Sequence, residues 1–411
     1  MFQVAPRLAM LAVGRELVGG ATIDFAAGVE LILVSDLDRI DPADALVLSD
    51  NQMADNPLTG EPVLMKKFPA SGGFIPWGHC RADGSHHPHA GTGFLVLVKH
   101  GVPQRVLRGE VDGASGAWVT DPDVLRQFEV HQLAFDPQAR RVKVTSSQTL
   151  GFKDLLAGHT LFNRGLGAAI PDGDDLLFTM QGGGAELDDR QWATSVGAGC
   201  MRWRRGDDGQ WRPSDFHPIL GAITGYETSM VRDHDGSLLA TARQTGKHVA
   251  EKFNLLLWRS VDGGRSWTLI LDRPRARADS PIALGRACDG TIFFVGNLLT
   301  APFAGRGKLG YWREVSALWP LRPDRLEFDP LWIHRCASLE WGPPCSDRGW
   351  NVDHLLSSRL QLGDGRWRTL LTYRAMDRGE TAYGQAPTPH TGFYVDEVTS
   401  RGEALPGPWN F

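Results

Sequence analysis

The chain has 411 residues and a formal charge of −5, so it lacks the concentrated basic surface that non-specific nucleic-acid binding needs. An apolar fraction of 42% supplies a large core, and 14 Trp with 48 Gly favour many short strands and tight turns over a coiled coil or a disordered chain. No run of about twenty apolar residues is present, which argues against a helical membrane span, and five cysteines are too few for a disulfide scaffold.

Leu8–Val13 is apolar, but Arg7 and Arg15 bracket it too closely for a secretory leader. The expected location is therefore the cytoplasm, or the periplasm or exterior once a leader has been removed. Leu8–Val13, Ala21–Phe25 and Val29–Val34 read as strands, and residues 36–72, rich in Asp, Pro and Asn, read as a long excursion.

From Phe74 a module repeats: an inner strand, a turn containing Asp-Gly, a second strand, then two more polar strands. A loose first copy runs Phe74–Cys80, Asp83-Gly84, Thr92–Val98. Clearer copies turn at Asp172-Gly173, Asp235-Gly236, Asp289-Gly290 and Asp364-Gly365. The spacing predicts an all-β fold, a β-propeller of four-stranded antiparallel blades spanning 1–411 as one domain. Six or seven blades are expected, with residues 7–35 and Thr391–Val398 together closing one of them. The oligomeric state expected is a monomer or a small homo-oligomer.

Between the outer strands of the Asp235-Gly236 module lies Ser260-Val261-Asp262-Gly263-Gly264-Arg265-Ser266-Trp267. It resembles the Asp box of sialidase-type propellers, in which the Asp caps a hairpin, a Gly takes positive φ and the Trp wedges between sheets. Gly206-Asp207-Asp208-Gly209-Gln210-Trp211 is either a degenerate copy or an ordinary Asp-Gly hairpin.

In such a fold the starts of the inner strands converge on one end of the channel. Aligning the modules brings Trp77, His79, His159, Tyr226, Glu227, Asp279, Asp353 and His354 there, with Arg243 from the end of a second strand. Glu227 to Arg243, sixteen residues apart around Asp235-Gly236, resembles the sialidase stretch carrying the nucleophile's Glu partner and a carboxylate-binding Arg. Phe74-Ile75-Pro76 resembles the sialidase Arg-Ile-Pro motif without its Arg, and Asp353-His354-Leu355 stands where a sialidase has its nucleophilic Tyr. The resemblance implies the sialidase fold without sialidase chemistry.

The organisation is also similar to that of propeller polysaccharide lyases, the ulvan and rhamnose-glucuronate lyases. That resemblance implies a site of His159, Tyr226 and Arg243 acting on an acidic oligo- or polysaccharide. Removing the proton α to a uronate carboxylate needs that carboxylate neutralised, which Arg243 would do, while Tyr226 and His159 exchange protons. No cofactor is required. The open alternatives are an exo-glycoside hydrolase using Glu227 and a second acid, and a non-catalytic glycan- or protein-binding propeller.

Ser85-His86-His87-Pro88-His89 reads as a polar surface loop or, alternatively, as an insertion that overlies the pocket mouth, with His89 a catalytic and His87 a substrate-binding candidate. Glu227, His354, Arg306 and Trp77 are further binding candidates, and Trp312 and Trp350 could stack on sugar rings. His334, Cys336 and Cys345 are the candidates for a structural metal ion, zinc or calcium, against ordinary thiols.

Overall fold

A computed structural model describes residues 1–15, 28–40, 45–49, 53–55, 60, 62–103, 126–186, 197–220, 225–244, 254–275, 277–278, 280–299, 313–343, 350–377, 390 and 392–398. Six antiparallel sheets follow one another along the chain and form a six-bladed propeller. Blade 1 holds β1 (Phe2–Ala5), β2 (Leu8–Arg15), β3 (Gly28–Val34) and β4 (Leu46–Ser49). Blade 2 holds β5 (Met53–Asp55), β6 (Pro62–Ile75), β7 (Thr92–Pro103), β8 (Arg126–Asp136) and β9 (Arg141–Gly151). Blade 3 holds β10 (His159–Arg164), β11 (Ile170–Asp172), β12 (Asp175–Gly184), β13 (Ala198–Arg205) and β14 (Trp211–Pro218).

Blade 4 holds β15 (Gly225–Arg232), β16 (Leu238–Gln244), β17 (Asn254–Ser260) and β18 (Thr268–Pro274). Blade 5 holds β19 (Ala283–Arg286), β20 (Ile292–Asn297), β21 (Val315–Arg322), β22 (Glu327–Phe328) and β23 (Trp332–Cys336), followed by the one-turn helix α1 (Ala337–Trp341). Blade 6 holds β24 (Trp350–Gln361), β25 (Trp367–Asp377) and β26 (Gly392–Val398).

Burial follows position within a blade. β20, Ile-Phe-Phe-Val-Gly-Asn, is buried at every residue because a neighbouring blade covers each face, whereas the outer strand β9 is exposed along most of its length. Aromatic side chains fill the wedges between blades: Phe94 of β7 stacks on Trp203 of β13, with centroids 3.9 Å apart.

The N- and C-terminal strands do not share a blade, contrary to expectation. β26 pairs with β25, and β1–β4 form their own sheet. The ring closes by side-to-side packing, in which the Gln3 side chain imitates a strand. Its Nε2 donates to the Gln361 carbonyl (2.8 Å) and its Oε1 accepts from the Gln361 N–H (2.8 Å), while the Gly363 N–H donates to the Ser35 carbonyl (2.7 Å). Nor is 36–72 one long excursion: β4, β5 and the first eleven residues of β6 lie within it. The first module's inner strand is therefore Pro62–Ile75, with Phe74-Ile75 at its end. Lys66, Lys67 and Pro69 break the pattern that would have marked it. The expected strand at Ala21–Phe25 lies outside the described residues.

Candidate functional site

Every inner strand except β19 is interrupted near its middle or start by an irregularity in pairing, and two of these build the site. In β15 the pairing runs Tyr226↔Arg243 and then Ser229↔Thr241, so Glu227 and Thr228 share one opposite residue. In β24 it runs Asp353↔Arg374 and then Leu356↔Thr372, so His354 and Leu355 do the same. Glu227 and His354 consequently take φ of 51° and 54°, left-handed values that cost a side chain bearing a Cβ about 1–2 kcal/mol. Neighbouring blades hold the bulges: the Thr228 carbonyl accepts from the Leu166 N–H (2.6 Å) and the Thr179 hydroxyl (2.5 Å), and Asn297 Nδ2 donates to the Val352 carbonyl (2.6 Å).

These two bulges bring five side chains into one group. Arg243 donates to Glu227 Oε2 (3.1 Å), and Glu227 Oε1 lies 3.4 Å from His354 Nε2. His354 Nδ1 lies 3.0 Å from Asp353 Oδ1, and the Arg243 guanidinium sits 5.0 Å from the centroid of the Tyr226 ring. Asp353 is fully buried and clamped by two arginines: Arg374 Nε donates to Oδ1 (2.5 Å) and Arg313 to Oδ2. Burial alone would push the Asp353 carboxyl up, but Arg374, His354 and Arg313 together hold it well below the usual carboxylate range. Among the described residues, Arg243 meets Glu227 in front, and Arg313 and Arg374 meet Asp353 behind. His354 also lines a cavity of ≈ 90 Å³ in the central channel, with Ser71, Gly72, Gly165, Leu356 and Ser358.

Tyr226, Glu227, Arg243 and His354 are thus brought together as the sequence suggests. His159 starts its inner strand at the same end, but its Nδ1 meets the Ala157 carbonyl (3.1 Å) and its ring packs edge-on against Phe216 of the outermost strand β14. His354 is the histidine that shares the group with Tyr226 and Arg243.

Trp77, His79, His87 and His89 follow the end of β6 and lie at the opposite end of the propeller. There His87 Nε2 meets the Gly173 carbonyl (3.0 Å) in the turn before β12, and Arg81 pairs with Asp174 (2.5 Å). The loop therefore does not overlie the group around Glu227. Its misplacement follows from reading Phe74–Cys80 as a strand start when Phe74-Ile75 ends β6.

His334 faces Asp396 of blade 6 (3.0 Å), whereas Cys336 packs with the core between blades 4 and 5. A pairing irregularity between Ile333 and Arg335 turns the two apart, so they do not converge. Among the described residues no group of three or more His, Cys, Asp or Glu is arranged to hold a metal ion. Arg306, Asp279, Trp312 and Cys345 lie outside the described residues.

Arg313 and Arg374 were missed by sequence reasoning. Arg374 had a usable signal, since Thr-Tyr-Arg after Asp364-Gly365 stands in β25 as Thr-Ala-Arg after Asp235-Gly236 stands in β16.

The fold and this cluster define a six-bladed propeller with a charged group at the inner-strand starts. No protein-family model matches the chain, and no curated protein matches it. Among solved structures, a mutant NanB sialidase from Streptococcus pneumoniae aligns over 96% of this chain and 67% of its own, with TM-score 0.52 and 9% identity. A Trypanosoma rangeli sialidase in complex with sialic acid aligns over 96% of this chain, with TM-score 0.49 and 12% identity. The chain spans 52% of that sialidase's length. A Dyadobacter fermentans protein of unknown function aligns over 96% of this chain and 100% of its own, with TM-score 0.48 and 14% identity. The likeness to NanB shows that the fold is a sialidase-like propeller, and at 9% identity it speaks for the fold alone.

Proposed function

We propose that this protein is a carbohydrate-active enzyme that cleaves an acidic oligo- or polysaccharide, by β-elimination at a uronic acid. The observation that carries this reading is the single group Tyr226–Arg243–Glu227–His354, with Asp353 buried behind it. Arg243 supplies the cation that a uronate carboxylate needs while its α-carbon loses a proton. Tyr226 and His354 are the acid–base pair. One takes the proton from C5, the electron pair forms the C4–C5 double bond as the C4–O bond breaks, and the other protonates the departing oxygen. No water nucleophile or redox partner enters that balance.

The competing reading is an exo-glycoside hydrolase, which the sialidase-like fold favours. Its usual mechanism needs two carboxylates flanking the scissile bond. Within this group Asp353 is fully buried between arginines, which leaves Glu227, so the second acid would have to come from elsewhere.

The test supplies a panel of uronate glycans and follows the near-ultraviolet absorbance of unsaturated uronates. Absorbance is expected to rise with at least one glycan, and the rate to fall by roughly 10²-fold or more in Tyr226→Phe, Arg243→Ala and His354→Gln. New reducing ends on saturated products would replace elimination by hydrolysis. Binding without any product, unchanged in Tyr226→Phe, would make the molecule a lectin-like propeller.

A further inference from the structure

Blades 4 and 6 carry the same device at the same register. Tyr226 and Asp353 precede the bulge, Glu227 and His354 occupy it with positive φ, and Arg243 and Arg374 stand cross-strand from the first residue of each pair. The devices differ in how each arginine is used. Arg243 engages the bulge residue Glu227 and the face of Tyr226, whereas Arg374 turns onto Asp353 itself. The blade 6 copy has thus become a buried support, and the group it supports is His354.

The geometry points to Asp353 as the positioning residue of the site: clamped by Arg313 and Arg374, it keeps the His354 Nδ1 proton in place and leaves Nε2 as the nitrogen that gains and loses one. An ionised carboxylate can only accept hydrogen bonds, so the 3.0 Å contact requires a proton on Nδ1. Asp353 cannot swing away to relax this demand, because it is fully buried and two arginines fix both of its oxygens. The other ring nitrogen faces Glu227 Oε1 at 3.4 Å, with Arg243 and Tyr226 beyond it, so the mobile proton is aimed at the reacting group. The inference deepens the elimination reading and rests on it for its catalytic meaning, but the tautomer itself can be read without any substrate.

The experiment uses the full chain with ¹⁵N-labelled histidine and long-range proton–nitrogen correlation, and His354→Gln assigns the His354 signals. With the ring in its neutral form, His354 is expected to show a protonated Nδ1 and a bare Nε2. In Asp353→Asn, whose amide can donate as well as accept, the Nε2-protonated tautomer is expected to gain population. Turnover of a cleaved glycan should fall by about 10²–10⁴-fold in that variant, with the acid limb of its pH profile displaced. A bare Nδ1 in the unsubstituted protein overturns the inference, and so does a tautomer unchanged in a folded Asp353→Asn. If that variant does not fold, the unsubstituted protein's tautomer decides alone. The expected tautomer without any glycan cleavage sinks the elimination reading and leaves the positioning role standing.

Discussion

Glu227 and His354 each hold a backbone conformation that a glycine would adopt without strain. Both are buried or half-buried and both belong to the charged group, so their strain is retained where the side chain has a use. This gives a measurable asymmetry. Glu227→Gly should be more stable than Glu227→Ala by about 1 kcal/mol, although glycine removes more side chain, because alanine keeps the left-handed penalty. Both variants should lose turnover. Melting midpoints of the two decide the matter: an alanine variant at least as stable as the glycine variant would show that the bulge carries no such strain. At this scale the sequence was informative about Glu227 and Arg243, whose spacing around Asp235-Gly236 translates into adjacent register positions on a hairpin. It was misleading about His159. Chain order reveals the blade on which a residue sits, but not what its side chain packs against. The His159 ring packs edge-on against Phe216 of the outermost strand, a contact with no local pattern around His159.

The Ser260–Trp267 hairpin shows an element whose chemistry is wholly local and was legible in advance. Asp262 Oδ1 accepts from the Ser260 hydroxyl (2.8 Å) and from the N–H groups of Arg265 and Ser266 (both 3.0 Å). Gly263 and Gly264 supply φ of 72° and 88°, and Trp267 Nε1 donates to the Gly264 carbonyl (3.0 Å). These contacts hold Asp262 far below the usual carboxylate range, led by the Ser266 hydroxyl. What the sequence did not reveal is how the hairpin docks. Arg202 of β13, buried, donates to the Gly263 carbonyl (2.9 Å) and pairs with Asp172 and Asp175 (both 2.9 Å), riveting blade 3 to blade 4. Such cross-blade contacts join residues about sixty positions apart and leave no local pattern. The two kinds of contact should differ in cost. Asp262→Ala removes a cap close to solvent and should cost about 1–2 kcal/mol, whereas Arg202→Met takes one arginine from each of two partly buried aspartates, leaving Arg232 on Asp172 and Arg204 on Asp175, strips the Gly263 carbonyl of its donor, and should cost about 3 kcal/mol. Denaturant midpoints test the order, and an Asp262→Ala loss equal to or larger than that of Arg202→Met would refute it.

Over the whole molecule, stability depends on six seams, and their polar contacts respond to acid at different points. At the end away from the charged group, burial lowers the titration of His79 and His89; His87 reinforces it at His79, and Arg205 and His87 at His89. A base whose folded value is lowered stabilises the fold above its unfolded value of about 6.5, and that contribution is lost as pH falls through the lowered one. The seam between blades 5 and 6 behaves differently. It is held by Arg313 on Asp353 and by His334 and Arg335 on Asp396, whose carboxylate also accepts from Tyr373 within blade 6. Burial would raise both acids, but Arg374, His354 and Arg313 at the first, and His334, Tyr373 and Arg335 at the second, hold both below the usual range. Their contribution is complete above the unfolded carboxylate value of about 3.9 and disappears only as pH falls through the lowered folded values. Acidification should therefore loosen loop 76–91 first, beginning below about pH 6.5, while β24 and β26 keep their protection until the medium is more acidic than about pH 3.9. Hydrogen exchange, corrected for the intrinsic dependence on pH, reads both segments in one experiment. Loss of protection in β24 and β26 before or together with loop 76–91 would show that the arginine clamps are not what keeps this seam closed in acid.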